Sequence, residues 1–209
     1  QHGWKQIIFG HIGRKPEGSL AKEAKRAGEL LQCDVTLISD WLDPQSISIL
    51  PEVTKQIAAA TPGSVLMLEN TRKYEIETTL WKAKPQDVPQ VAPKLTKLAN
   101  EFAEKLSSVF VFEALPAGSL DACSVAVPAA MQRVALGEYV ASEFSGPMIR
   151  CLDAQLVIFS GLKIDKLDDL EAMINPGKIW RVFAAGSLSM ALRKAAAQLD
   201  GKDCCIGAA

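Results

Sequence analysis

Short apolar runs alternating with amphipathic helical stretches constrain this chain more than any other feature. Residues 5–9, K-Q-I-I-F, form such a run, and residues 34–38, 64–68 and 108–112 repeat it. Runs of this length, bounded by turn residues, read as strands buried on both faces. Between them the pattern is helical. Residues 19–31 place Leu20, Ala24, Ala27, Leu30 and Leu31 on one face, with Ser19 as the expected N-cap. Residues 51–60 read as a helix closed by Pro62-Gly63, and residues 94–106 as a strongly amphipathic one. Residues 70–93 are polar and carry three prolines, so a long surface loop is expected there. Residues 130–144 read as helix, closed by Ser145-Gly146-Pro147. Strand-helix alternation of this kind predicts a parallel α/β sheet with right-handed crossovers.

A second, shorter series follows. Strands are expected at residues 156–159 and 179–184, helices at 168–174 and 188–199, and a possible further strand at 204–206. The boundary is placed near 145–155, giving a first domain of residues 1–148 and a partial second one of residues 149–209. Two βα steps are too few for a free-standing α/β core. The face and edge near residues 179–184 are therefore expected to be covered, by further C-terminal chain or by a protein partner.

Composition excludes several classes. The formal net charge is -1, so neither nucleic-acid binding nor an anionic membrane surface is expected. No apolar run approaches the roughly 20 residues that cross a bilayer, so no membrane insertion is expected, and no secretory signal is visible. The five cysteines are unevenly spaced, without a C-x-x-C pair, and the histidines are His2 and His11. No metal site follows from these, and the thiols read as buried or inert groups of a soluble protein in a reducing compartment. Because the chain opens on Gln1 rather than on methionine, a segment upstream is expected.

Three strand-to-loop junctions carry candidate chemistry, since α/β sheets bind ligands at the carboxyl ends of their strands. The first is I-I-F-G-H-I-G-R-K-P-E-G-S-L, which offers His11 and Arg14. A guanidinium fork suits a pair of phosphate or carboxylate oxygens, and an imidazole adds one more bond. The second is V-L-M-L-E-N-T-R-K, with Glu69, Asn70 and Arg72. Arg72 converges with Arg14 on one anion if the first and third strands are neighbours. The third is V-I-F-S-G-L-K-I-D-K, where Gly161 follows a strand and Lys163 and Lys166 follow the glycine. A glycine lets a phosphate approach the backbone, and a lysine supplies a mobile charge. Each junction taken alone also fits an ordinary solvated loop, and none is a Walker A motif.

Taken in order, these segments resemble the phosphoglycerate kinase family. H-I-G-R-K-P-E-G-S-L is similar to the family's H-L-G-R-P loop, and L-M-L-E-N-T-R-K to its L-L-L-E-N-L-R-F. S-G-L-K-I-D-K is similar to G-G-A-K-V-x-D-K, and V-F-A-A-G-S-L-S-M-A-L-R-K to I-I-G-G-G-M-A-x-T-F-L-K. The resemblance spans nearly the whole chain and keeps the spacing. It implies a Rossmann-like, parallel-sheet N-terminal domain, lacking its first strand, plus the beginning of a second α/β domain. It also implies substrate-binding roles for His11, Arg14 and Arg72, and catalytic roles for Lys163 and Arg14. Nucleotide contacts would fall to Gly161, Lys163, Lys166 and Gly186. The compartment implied is cytoplasm or plastid stroma.

The departures point away from turnover. The family's R-V-D-F-N strand does not precede Gln1, and its G-P-x-G and G-G-G-D-T loops do not occur. Its D-A-F-G-T-A-H-R-A-H stretch corresponds here to E-A-L-P-A-G-S-L-D-A, with Ser119 and Leu120 at the His and Arg positions and Pro116 at a glycine. The G-G-G turn reads Ala184-Ala185-Gly186. Two readings follow. One is a catalytically impaired relative that serves as a structural or interaction subunit, needs no cofactor, and retains at most a weak phosphate or carboxylate site. The other is an active phosphotransferase, using Mg-ATP or ADP, whose missing segments complete the site.

Overall fold

The computed structural model describes residues 3–114, 120–161, 164–175, 179 and 181–205. The chain divides into two compact units, Gln1–Val140 and Ala141–Ala209.

The first unit is built on three parallel strands, β1 (Gln6–Ile8), β2 (Val35–Ile38) and β5 (Val65–Leu68), in the order β1-β5-β2. β5, V-L-M-L, is central and buried at every residue. Ile7 pairs with Leu66 on one side of it and Thr36 with Leu66 on the other. The first and third expected strands are thus neighbours. A small antiparallel pair, β3 (Leu42–Asp43) and β4 (Ser48–Ile49), follows β2. Helices α1 (Ala21–Leu31), α2 (Pro51–Ala59) and α4 (Val88–Lys105) provide the crossovers. The core joins Trp41, Leu68, Leu98 and Phe102 with Phe110 of β6 (Val109–Phe112). Phe9 packs against both Phe102 and Phe110, at ring-centroid distances of 5.3 and 5.8 Å.

Leu30 and Leu31 lie outside the core, at 66% and 53% exposure, because helix α1 turns Ala24 and the preceding Leu20 inward and its last turn stands in water. Ser19 is not the N-cap; Leu20 holds that place, and the Ser19 hydroxyl donates to Glu69. Residues 70–93 are not a surface loop. They fold into short turns and α3 (Glu75–Thr78), then into the start of α4, which begins at Val88 and contains Pro93. Tyr74 and Leu80 from this stretch are buried in the core. The Tyr74 hydroxyl accepts the Trp41 N–H at 3.1 Å. Pro89 falls in the first turn of α4, where its missing N–H costs no ladder bond, whereas Pro93, inside the helix, forgoes one.

Residues 130–144 are not one helix. α5 (Ala122–Val125) and α6 (Val127–Ala130) precede a strand, β7 (Arg133–Leu136), and α7 (Glu138–Ser145) follows it. β7 pairs in parallel with β6, Phe110 opposite Val134. Arg, Ala and Leu favour helix in isolation, and the pairing with β6 overrides that preference.

The second unit contains α8 (Pro147–Leu152), β8 (Leu156–Ser160), α9 (Ile164–Ile174), β9 (Arg181–Ala185) and α10 (Ser187–Leu199). β8 and β9 form a parallel pair with Ile158 opposite Phe183. Val157, Phe159 and Val182 are half-buried, while Ile158 and Phe183 are 70% and 61% exposed. Cys204 and Cys205 are not in a strand, and Ile206 lies outside the described residues. The cysteines are free among the described residues, but only Cys123 is buried; Cys33, Cys151 and Cys205 are exposed and Cys204 is partly exposed.

Candidate anion site of the first unit

Adjacency of β1 and β5 sets the loops after these two strands side by side. The loop after β5 is fixed first. The Glu69 carboxylate accepts the N–H groups of Leu20 and Asn70 at 2.7 and 2.8 Å and the Ser19 hydroxyl at 2.8 Å. Burial raises its pKa, but these donors outweigh burial and leave it below the ordinary carboxylate value. The buried Asn70 side chain donates to the Gly18 carbonyl at 2.8 Å and accepts the Arg72 N–H at 3.1 Å. The Thr71 N–H closes the seam by donating to the Gly10 carbonyl at 2.9 Å. Glu69 and Asn70 therefore hold the loop that carries His11 and Arg14.

Arg72 lies inside this arrangement, its side chain 10% exposed. It faces Asp121, whose side chain is 1% exposed. The guanidinium makes a forked contact, Nη2 to Oδ2 at 2.9 Å and Nε to Oδ1 at 3.3 Å. Nη1 donates to the Gly13 carbonyl at 2.5 Å. The indole of Trp81 underlies the guanidinium carbon at 4.6 Å from the ring centroid. Trp81 Nε1 also donates to Asp121 Oδ1 at 2.9 Å. His11 Nδ1 stands 3.7 Å from Asp121 Oδ2. Desolvation lowers the His11 pKa, Arg72 lowers it further, and Asp121 opposes both; the net shift is downward. His11 is thus held towards its neutral form.

The candidate residues divide accordingly. Arg72 and His11 meet, but on Asp121. Arg14 is exposed on the loop, next to the Gly13 carbonyl that Arg72 engages. Leu120, beside Asp121, is 52% exposed. Ser119, Pro116 and Lys163 lie outside the described residues. Asp121 and Trp81 were not legible as site residues: an Asp after S-L and a Trp in a polar stretch have no local signature.

Behind this site lies a second buried acid. Glu77 accepts the Cys123 N–H at 3.1 Å. Desolvation raises the Glu77 pKa against the hydrogen bonds from Cys123, and the neighbouring Asp121 raises it as well. Burial pushes the Cys123 thiol well above its ordinary value, with Glu77 adding to the shift.

The order of these segments along one α/β chain is matched by a family model. The model for phosphoglycerate kinase matches residues 1–205. The chain belongs to the phosphoglycerate kinase family. It is 30% identical over 209 residues to "Phosphoglycerate kinase" of Geobacter metallireducens, covering 96% of this chain and 47% of the relative. It is 36% identical over 104 residues to "Phosphoglycerate kinase, cytosolic" of Nicotiana tabacum, covering 48% of this chain and 22% of the relative. The solved phosphoglycerate kinase of Pyrococcus horikoshii shares the fold with a TM-score of 0.66 at 21% identity, covering 95% of this chain and 50% of that one. The chain spans about half the length of these bacterial and archaeal relatives, consistent with one N-terminal domain and part of another. Among the described residues no helix is long and apolar enough to cross a membrane.

In the second unit the carboxyl ends of β8 and β9 lie side by side. β8 and β9 end in register, Ser160 opposite Ala185, so Gly161 and Gly186 leave the sheet side by side. Both have positive φ, +100° and +57°. A Cβ at Gly186 would stand 2.8 Å from the Ser160 Oγ. Backbone without side chains at the carboxyl ends of parallel strands fits the close approach of a phosphate. Lys166 lies on α9.

Proposed function

We propose that this chain is a phosphoglycerate kinase-like protein with impaired phosphoryl transfer, serving as a structural or interaction subunit. The observation that carries this reading is the Arg72–Asp121 pair. A guanidinium needed to bind an anionic substrate is already neutralised, in a forked contact, by a carboxylate of the same chain. Phosphoryl transfer relies on positioned cations, and losing one such contact costs on the order of 10²–10³ in rate. Leu120 adds to this, since an isobutyl group offers no hydrogen bond. The interaction role is supported by Ile158 and Phe183, paired across β8 and β9 and both largely exposed. Apolar side chains facing each other on an open sheet favour being covered, by further chain or by a partner protein. A reducing compartment, cytoplasm or plastid stroma, agrees with free, mostly exposed thiols.

The test is a coupled assay of ATP formation from 1,3-bisphosphoglycerate. No turnover is expected; turnover in the range usual for kinases, about 1–100 per second, refutes the reading. A monodisperse monomer with strongly protected β8 and β9 amides removes the basis for the interaction role. The second reading, an active phosphotransferase using Mg-ATP or ADP, is favoured by the Gly161–Gly186 cradle and by the exposed Arg14 and His11.

A further inference from the structure

We propose that the Asp121 carboxylate is an internal substitute for a bound oxyanion, locking the His11–Gly18 loop in place without ligand. The inference rests on reading this loop as the family's anion site, and it concerns how that site is governed. Asp121 meets the requirements of such an anion. It accepts two guanidinium nitrogens and an indole N–H, and an imidazole nitrogen stands at 3.7 Å. Planar forked geometry of this kind matches carboxylate and phosphate alike.

The consequence for the loop runs through Arg72. Its Nη1 holds the Gly13 carbonyl while Nε and Nη2 hold Asp121. A guanidinium is rigid and planar, so fixing one edge fixes the other. The anion on one edge therefore positions the loop on the other. In a protein without an internal anion at this point, the same coupling makes loop order depend on ligand. Here the carboxylate supplies it permanently, at the cost of making the site refractory to external anions. The nearby charged and titratable groups are His11, Arg72, Asp121 and, behind them, Glu77 and Cys123.

The experiment uses the whole chain and its near-isosteric variant Asp121→Asn, which keeps an acceptor for Trp81 but removes the charge. Inorganic phosphate is titrated into each by calorimetry, with acetate in parallel, and loop amides are followed by hydrogen exchange. The wild type is expected to bind phosphate at least about tenfold more weakly than D121N. Loop amides of D121N are expected to exchange faster and to regain protection on adding phosphate or acetate. Whichever anion restores them identifies the oxyanion class. Adding Arg72→Gln to D121N is expected to abolish both effects. Equal affinity in wild type and D121N, or a D121N loop as protected as the wild type, overturns the proposal. So does rescue that survives R72Q. If D121N does not fold, Asp121→Ser is tested by the same criteria, and its failure to gain anion binding also overturns it. Kinase turnover of the wild type sinks the impaired-kinase reading alone; the phosphate comparison is decided independently.

Discussion

Removing either partner of the Arg72–Asp121 pair should destabilise the first unit at least as much as removing both, so the two losses should not add. The side chains are 10% and 1% exposed, so either survivor would be a charge held out of water with its main partner gone. Breaking a buried pair from one side costs about 3–5 kcal/mol, whereas replacing both partners by neutral groups is often tolerated. Arg72→Gln and Asp121→Asn keep much of the volume and some hydrogen bonding, which argues for the lower end, about 3 kcal/mol each. For a chain of this size that corresponds to a fall in Tm of roughly 6–12 °C. The double variant leaves no unpaired charge and should cost no more than about 3 kcal/mol. Independent effects would sum to about 6 kcal/mol, so a coupling of about 3 kcal/mol is expected, at the upper end for contacting residues. Urea unfolding followed by tryptophan fluorescence reads all four corners, since Trp81 lies against the pair. Additivity within about 0.5 kcal/mol would refute the reasoning, because it would mean that each residue acts without the other.

Other outcomes follow from the same neighbourhood. NMR titration should place the His11 pKa below the ordinary 6.5, and lower still in D121N, because Asp121 is the group that raises it; a value above 6.5 in wild type contradicts the desolvation argument. With His11 lowered, the unfolded chain binds the extra proton, so stability should fall as pH drops below 6.5, and His11→Gln should flatten that slope in urea midpoints. For Glu77 the sign reverses. Its raised pKa means the folded chain holds the proton, so stability falls as pH rises past 4.5, and Glu77→Gln should gain on the wild type towards neutral pH; a gain towards acid instead would exclude a desolvated carboxyl. Iodoacetamide should label Cys33, Cys151 and Cys205 in the native chain and Cys123 only on unfolding; rapid native labelling of Cys123 would contradict its burial and raised pKa.

What the sequence by itself determined is whatever local periodicity encodes. The runs that became β1, β2, β5, β6, β8 and β9 are apolar over the length of a buried strand, and α1, α2, α4 and α10 carry period and breakers in their own residues. These signals are short-range, which is why the α/β class and the strand-to-loop positions of His11, Arg72 and Gly161 were legible. β7 was not, because R-V-A-L becomes a strand only beside β6. The stretch after Asn70 was not, because its polar, proline-rich composition conceals Tyr74 and Leu80, whose burial depends on Trp41 and the helices around them. The site shows the same division most sharply. Arg72 could be named a ligand for an anion from its place after a strand, but its partner stands 49 residues away and carries no motif. Only the folded chain brings the two together, since a salt bridge forms between charges that the backbone places within reach, and that distance is set by the packing of β1, β5 and α5 rather than by any pattern in the residues between.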